Sequence, residues 1–319
     1  MNSNNQQIQP LTCHGHTRPV VDLQFSVGNT SGSDAGPLLI SSCKDGKPIV
    51  RNGITGDWIG TYLGHKGAVW SSRLTKEGRT AITGSADFTA QVWDTSTGDM
   101  IHTFQHEHIV RAVDWDDKEG SQIATGGKEN ILRIFDLYRP SDSPSMMIPK
   151  AHQDTIRSIV WDKNKRHRIL TASDDQYIHI WDLRTLQKLD SIACSHPVTS
   201  MTISIDGSHL LWSSGNTAYF WNIDSTNQQD IITHTLDKHV SSITLHPDHS
   251  KFAAGSDEDL WVRVYDFKSG EEKEVYKGHH GPIHTTSYSH DGEILATGSE
   301  DGTIRLWKTN PSTSYGLWK

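Results

Sequence analysis

The stretch Gly278-His279-His280-Gly281-Pro282-Ile283-His284-Thr285-Thr286-Ser287-Tyr288-Ser289-His290-Asp291-Gly292-Glu293-Ile294-Leu295-Ala296-Thr297-Gly298-Ser299-Glu300-Asp301-Gly302-Thr303-Ile304-Arg305-Leu306-Trp307 decides the fold. A Gly-His pair opens it. Three short alternating runs follow, separated by an Asp-Gly turn at 291–292 and another at 301–302, and the last run ends on Trp307. Alternation over four to eight residues between Gly and Asp turns is the pattern of half-buried antiparallel strands. Working outward, the position of Trp307 recurs at Arg51, Trp93, Phe135, Trp181, Trp221 and Tyr265, in steps of 42, 42, 46, 40, 44 and 42 residues.

A Gly-His pair closed some thirty residues later by a Trp, with units of 40–45 residues, is the mark of a WD40 propeller blade. Lys308 stands where that pattern has Asp after the Trp, whereas Trp93-Asp94 and Trp181-Asp182 keep the pair. Seven units predict an all-β, seven-bladed WD40 β-propeller occupying residues 1–319 as one domain. The units fall at about 14–56, 57–98, 99–140, 141–187, 188–226, 227–270 and 271–310. Each takes its outermost strand from across the repeat boundary. The extended segment 7–13 is expected to supply that strand to the last blade, so that the ring closes without a full-length exposed edge. Ser26–Gly36 lengthens the first turn of blade 1, and Arg139–Pro149, with its prolines, lengthens the link after blade 3. Both fall on the face opposite the Gly-His and Asp turns.

Composition narrows the function classes. A net charge of −8 argues against a global pull toward nucleic acid or acidic membranes. Cys13, Cys43 and Cys194 have no paired spacing, which fits a reducing compartment better than a disulfide framework. The Asn/Gln-rich start lacks a signal peptide's basic and apolar regions, and no run approaches the ~20 apolar residues of a membrane helix. A soluble, intracellular, monomeric protein is expected.

The repeated polar residues look at first like catalysts. Asp87, Asp175 and Asp301 lie six residues before Trp93, Trp181 and Trp307; Thr83, Thr171 and Thr297 lie four before each Asp; His65, His152 and His279 complete the sets. Ser/Thr, His and Asp could form a hydrolase triad. The same set at the same spacing in three blades instead predicts a buried hydrogen-bond network, because a catalyst needs one copy, and there is no G-x-S-x-G elbow. Blade 1 keeps His16, Ser41 and Asp45 but has Arg51 in the Trp slot. Blade 3 has His106, Thr125, Glu129 and Phe135. Blade 5 has Gly215 where Asp belongs and no clear Gly-His, and blade 6 has Asp259 and Tyr265 with a one-residue insertion. Blades 5 and 6 are expected to be the least well anchored.

Nineteen histidines raise a metal site, yet none has H-E-x-x-H or zinc-finger spacing. No Walker or dinucleotide glycine motif appears. No catalytic residue, cofactor or metal is expected. Most of the eleven tryptophans read as core, including Trp115 and Trp161. The positions that the pattern leaves free lie toward the narrow face. Five residues past the Gly-His stand Val21, Trp70, Arg111, Arg157 and His284; one before the Asp stand Lys44, Ala86, Lys128, Asp174, Glu258 and Glu300. Of these, Lys44, Trp70, Arg111, Lys128, Arg157 and Asp174 are the candidates for binding a partner. The competing reading is solvated loop charge.

Several stretches go beyond the general repeat. Gly15-His16-Thr17-Arg18-Pro19-Val20-Val21-Asp22-Leu23, Cys43-Lys44-Asp45-Gly46-Lys47-Pro48, Gly56-Asp57-Trp58-Ile59-Gly60, Gly64-His65-Lys66-Gly67-Ala68-Val69-Trp70, Ala86-Asp87-Phe88-Thr89-Ala90, Tyr276-Lys277-Gly278-His279 and Tyr315-Gly316-Leu317-Trp318 resemble the serine-threonine kinase receptor-associated (unr-interacting) protein family. The resemblance covers the whole chain, is strong in blades 1, 2 and 7, and is thin in blade 5 and most of blade 6. It implies a cytoplasmic and nuclear non-enzymatic scaffold. Such a scaffold joins the survival-of-motor-neuron (SMN) complex through Gemin subunits, assists Sm-core assembly on spliceosomal RNA, meets RNA only through that complex, and restrains transforming-growth-factor-β receptor signalling. The stretches Gly64–Trp70 and Gly84–Asp87 are also similar to the propeller subunit of a translation initiation factor complex, which is the alternative.

Overall fold

Short runs with apolar residues on one or both faces, cut by Gly, Asp and Ser turns, can bury themselves only by stacking sheet on sheet. The computed structural model describes residues 9–28, 36–116, 121–139, 143–225 and 227–309. These form seven four-stranded antiparallel sheets. Six sheets run in chain order from inner to outer strand, over residues 20–61, 69–105, 110–148, 156–193, 198–235 and 242–277. The seventh takes Ile283–Tyr288, Ile294–Ser299 and Ile304–Lys308 from one end of the chain and Leu11–Cys13 from the other. The inner strands of neighbouring blades pack on one another, and Val20–Phe25 of blade 1 meets Ile283–Tyr288 of blade 7. The chain is a seven-bladed β-propeller.

The closing strand is shorter than the 7–13 expected. Leu11, Thr12 and Cys13 pair with Leu306, Arg305 and Ile304. Gln9 and Pro10 are outside the strand, since Pro10 lacks the N–H that a further ladder bond needs. Residues 7 and 8 lie outside the described residues, as do 29–35 of the blade 1 insertion and the family-like tail 315–318. The segment 139–149 does not follow the third sheet but contains its outer strand, Met146–Ile148, which pairs with Leu132–Asp136; its residues 140–142 are also outside the described set.

The core lies between blades. Ile134 and Leu132 of blade 3 pack on Ile156, Ile159, Trp161 and Trp181 of blade 4, all nearly sealed from water. Each such side chain contributes roughly 1.5–3 kcal/mol by leaving water. Trp115 and Trp161 are core, as the alternation indicates, while Trp58 and Trp261 stay exposed on blades 1 and 6.

Candidate functional site

Three blades hold the complete polar network. His65 Nδ1 lies 2.8 Å from Asp87 Oδ2, its Nε2 lies 2.6 Å from Thr83 Oγ1, and Trp93 Nε1 donates to the same hydroxyl at 2.9 Å. His152, Asp175, Thr171 and Trp181 repeat this at 2.9, 2.7 and 2.9 Å, and His279, Asp301, Thr297 and Trp307 at 3.1, 2.8 and 2.9 Å. Burial alone would raise the carboxyl pKa values. Hydrogen bonds from the imidazole and from backbone N–H groups outweigh it and hold Asp87, Asp175 and Asp301 below the usual carboxylate range. An ionised carboxylate only accepts, so Nδ1 carries the proton, Nε2 accepts from the threonine, and the threonine oxygen accepts from the indole. Thr83, Thr171 and Thr297 are fully buried. No substrate reaches them, and the hydrolase reading fails on access.

The remaining blades vary in instructive ways. In blade 1, His16 contacts Asp45 at 3.0 Å and Ser41 at 2.8 Å, while Arg51 fills the Trp slot and donates to the carbonyls of Gly56 and His14. In blade 3, Glu129 pairs with Arg133 and caps the 107–108 turn, leaving His106 on Thr125 at 2.9 Å and on the Phe104 carbonyl. In blade 5 the turn is one residue shorter, with Ser214 facing Thr217 across Gly215-Asn216, so no position for the Asp exists. Register then puts Trp212 where Thr297 stands in blade 7, and Trp221 Nε1 has no acceptor. Counting back from the inner strands puts Cys194 and Leu236 in the His slots of blades 5 and 6. Asp259 of blade 6 bonds Arg263 at 2.6 Å instead of a histidine.

Among the described residues, two groups could be taken for metal ligands, His16/Cys43/Asp45 and His152/Asp175/His179. His16, Asp45, His152 and Asp175 are already bonded within the network, Cys43 Sγ donates to the Arg18 carbonyl, and His179 Nδ1 meets Ser191 Oγ at 2.9 Å. The thiols are not nucleophiles, because burial raises Cys43 to about 12 and Cys194 to about 11.

The candidate surface arises from a backbone device. The inner strands of six blades carry a β-bulge near their start, and the extra residue is Val21, Trp70, Arg111, Arg157, Thr199 or His284. A bulge leaves one residue without a partner and re-aims its side chain. All six border a cavity of about 340 Å³ at the mouth of the central channel, joined by Ser241 of blade 6. Lys44 and Asp174, from the turns between second and third strands, also line it.

Lys128 does not. It occupies the same turn position in blade 3, with its N–H on the Ile109 carbonyl, but it is exposed and borders no part of the cavity. The strand beside it offers Arg111, a like charge, whereas Lys44 is drawn to Glu300 at 3.9 Å. Ala86 and Glu258 are likewise absent from the lining. The extra residue in the blade 6 turn brings Asp257 to the mouth in place of Glu258.

Charges at the mouth are paired with one exception. Arg157 Nε donates to Asp174 at 2.6 Å, His284 Nε2 meets Glu300 at 2.6 Å, and Asp257 takes His239 at 2.7 Å. Arg111 has no hydrogen bond or ion pair among the described residues. Its Cζ lies 3.9 Å above the Trp70 ring, with Lys44 Nζ 5.9 Å from the same ring. Burial, and then the neighbouring Arg157, lower Arg111 to about 10, against the opposing pull of Asp174. It remains a cation at neutral pH. This arrangement can bind and orient a charged group.

Comparison with known proteins agrees with the ring. The family model described as "WD domain, G-beta repeat" matches residues 56–94, 144–182, 230–266 and 270–308. The serine-threonine kinase receptor-associated protein of Dictyostelium discoideum is 46% identical over 300 residues, covering 94% of this chain and 99% of its own. Its Homo sapiens counterpart is 45% identical over 310 residues, covering 97% and 85%. More distant is the eukaryotic translation initiation factor 3 subunit I of Drosophila sechellia, 30% identical over 334 residues and covering 97% and 98%.

Proposed function

Since the chain belongs to the family of serine-threonine kinase receptor-associated proteins, we propose that it works without catalysis, as a WD40 scaffold docking protein partners on its narrow face. The observation that carries the reading is near-full-length similarity at 44–46% identity to relatives bearing that one name. The partners proposed are Gemin-type subunits of the SMN complex, with the chain assisting Sm-core assembly in cytoplasm and nucleus and meeting RNA through the complex. Restraint of growth-factor receptor signalling comes second, because that pathway is confined to animals and the Dictyostelium relative keeps the name outside them. The initiation-factor reading rests on the 30% relative.

Affinity capture with the tagged chain separates these. Gemin and Sm proteins in the eluate support the first reading, and initiation-factor subunits replace it with the alternative. Reversing two charges, R111E with R157E, is expected to weaken capture at least tenfold and to flatten its salt dependence. Capture unchanged in that double variant removes the narrow face from the proposal.

A further inference from the structure

Among the described residues, the cavity of the proposed docking face is lined by one charge that its own surroundings leave unanswered. We infer that Arg111, stacked on Trp70, is the seat for a side-chain carboxylate of an acidic segment in the partner. This rests on the reading of the narrow face as a docking surface and gives that surface a chemical preference.

Every nearby acid is already engaged: Asp174 by Arg157, Glu300 by Lys44 and His284, Asp257 by His239. The hydroxyls beside the mouth are also used, Thr199 Oγ1 on the Val240 carbonyl and Ser241 Oγ on that of Ile283. Among the described residues lining the cavity, Arg111 is the cation with neither a hydrogen bond nor an ion pair. An unsatisfied donor of another kind lies beside it, since the indole N–H of Trp70 is buried without an acceptor among the described residues. Stacking on an aromatic ring holds a guanidinium in one plane while leaving its N–H edge open. That edge matches the two oxygens of a carboxylate in a fork.

Charge count favours a carboxylate over a phosphoryl group. A phosphate ester carries close to two negative charges at neutral pH and is matched by clustered cations. Here one guanidinium is unpaired, and Asp174, lining the same cavity, would repel the second charge. The chain's net charge of −8 also disfavours indiscriminate capture of polyanions, so binding of an acidic peptide must come from a local site.

Fluorescence anisotropy of a fluorescein-labelled hexaglutamate peptide tests this, in roughly 50 mM salt so that screening does not hide the contact. Saturable binding of hexaglutamate but not hexaglutamine is expected. R111Q should weaken it roughly tenfold or more, the range for a charge-assisted hydrogen bond. R111K should also weaken it, because lysine keeps the charge and loses both fork and stack. R79Q, an exposed arginine on the opposite face paired with Glu77, should bind like the parent chain. Melting temperatures near the parent's exclude misfolding of the variants. Equal binding by R111Q, equal binding of hexaglutamine, or no binding of hexaglutamate overturns the inference. So does displacement of the peptide by inorganic phosphate far more readily than by acetate. If hexaglutamate fails but R111E with R157E still loses partner capture, the docking face survives and this seat does not. If that pair captures normally, both fall.

Discussion

At the scale of single residues, the polar network is a set of buried groups that must all be partnered. Trp181 and Trp221 test how much the indole–hydroxyl bond contributes. Trp181 donates to Thr171 at 2.9 Å, while Trp221 has no acceptor in an otherwise comparable slot. W181F removes a hydrogen bond and some packing; W221F removes packing alone. Urea unfolding should show W181F costing about 1 kcal/mol more than W221F, and equal losses would mean the bond contributes nothing net. Acid sensitivity follows from the same groups. Burial and the Arg133 charge lower His106 to about 4, so it folds neutral. Its contribution is whole above its unfolded pKa of about 6.5 and is lost as pH falls to about 4, on the order of 2–3 kcal/mol. Asp45 is held at about 2 because hydrogen bonds from His16, Lys47 and Thr17 outweigh burial. Its contribution is whole above about pH 4 and is lost as pH falls toward 2. Unfolding free energies measured from pH 7 to 3 should decline from about pH 6.5 downward, and H106Q should flatten the upper part of that decline. These residues were legible because their spacing is set inside one hairpin and survives any change of partner. Arg51 was legible as a departure; that its guanidinium would cap the carbonyls of His14 and Gly56 was not, since the repeat pattern specifies no partner for an arginine in the tryptophan slot.

At the scale of strands and turns, legibility depended on whether a feature keeps a constant offset from a motif. Trp70, Arg111, Arg157 and His284 could be counted from the Gly-His because each bulge sits at the same step of its strand. The bulge itself leaves no mark in the letters. Blade 5 defeats the counting: its turn is short by one residue, which shifts any count back from Trp221, and Trp212 and Cys194 stand in the threonine and histidine slots. Lys128 shows the other limit, because a backbone position can be predicted while its side chain goes where local charge allows. The outer strand of blade 7 makes a direct test. Removing residues 1–13 unpairs Ile304–Lys308 along one edge and uncovers Leu306 and Ile304, both fully buried. The truncated chain should melt about 10 °C or more below the full chain, as expected for several kcal/mol of lost pairing and burial. A melting curve that superimposes on the parent's would refute closure by this strand.

Across the whole molecule, charged side chains tie blades together inside the channel. Asp22 of blade 1 accepts from Arg73 of blade 2 at 2.6 Å and also takes the Ser72 N–H. Arg73 reaches toward Asp114 of blade 3 at 3.9 Å, and Asp114 accepts the Trp161 N–H of blade 4 at 2.6 Å. Four blades are thus linked through one guanidinium and the two carboxylates it faces. R73M keeps much of the volume and removes the counter-charge beside two carboxylates, and chemical denaturation should register a loss of about 3 kcal/mol. A loss below about 0.5 kcal/mol would show that water replaces the arginine freely. None of this linkage was visible in the sequence, because its partners are separated by some fifty residues and share no motif.

The seam of the ring has a mechanical consequence. Leu11 pairs with Leu306 and Cys13 with Ile304, so the chain enters and leaves the last sheet side by side at one end of the same ladder. Tension applied between those two points would load the three rungs one after another, as a zipper, and not together in shear. Arg51, gripping the carbonyl of His14 just beyond the strand, is the stop against which the zipper would halt. Pulled by its ends, the propeller should therefore part at this seam at low force, with the other six sheets still closed.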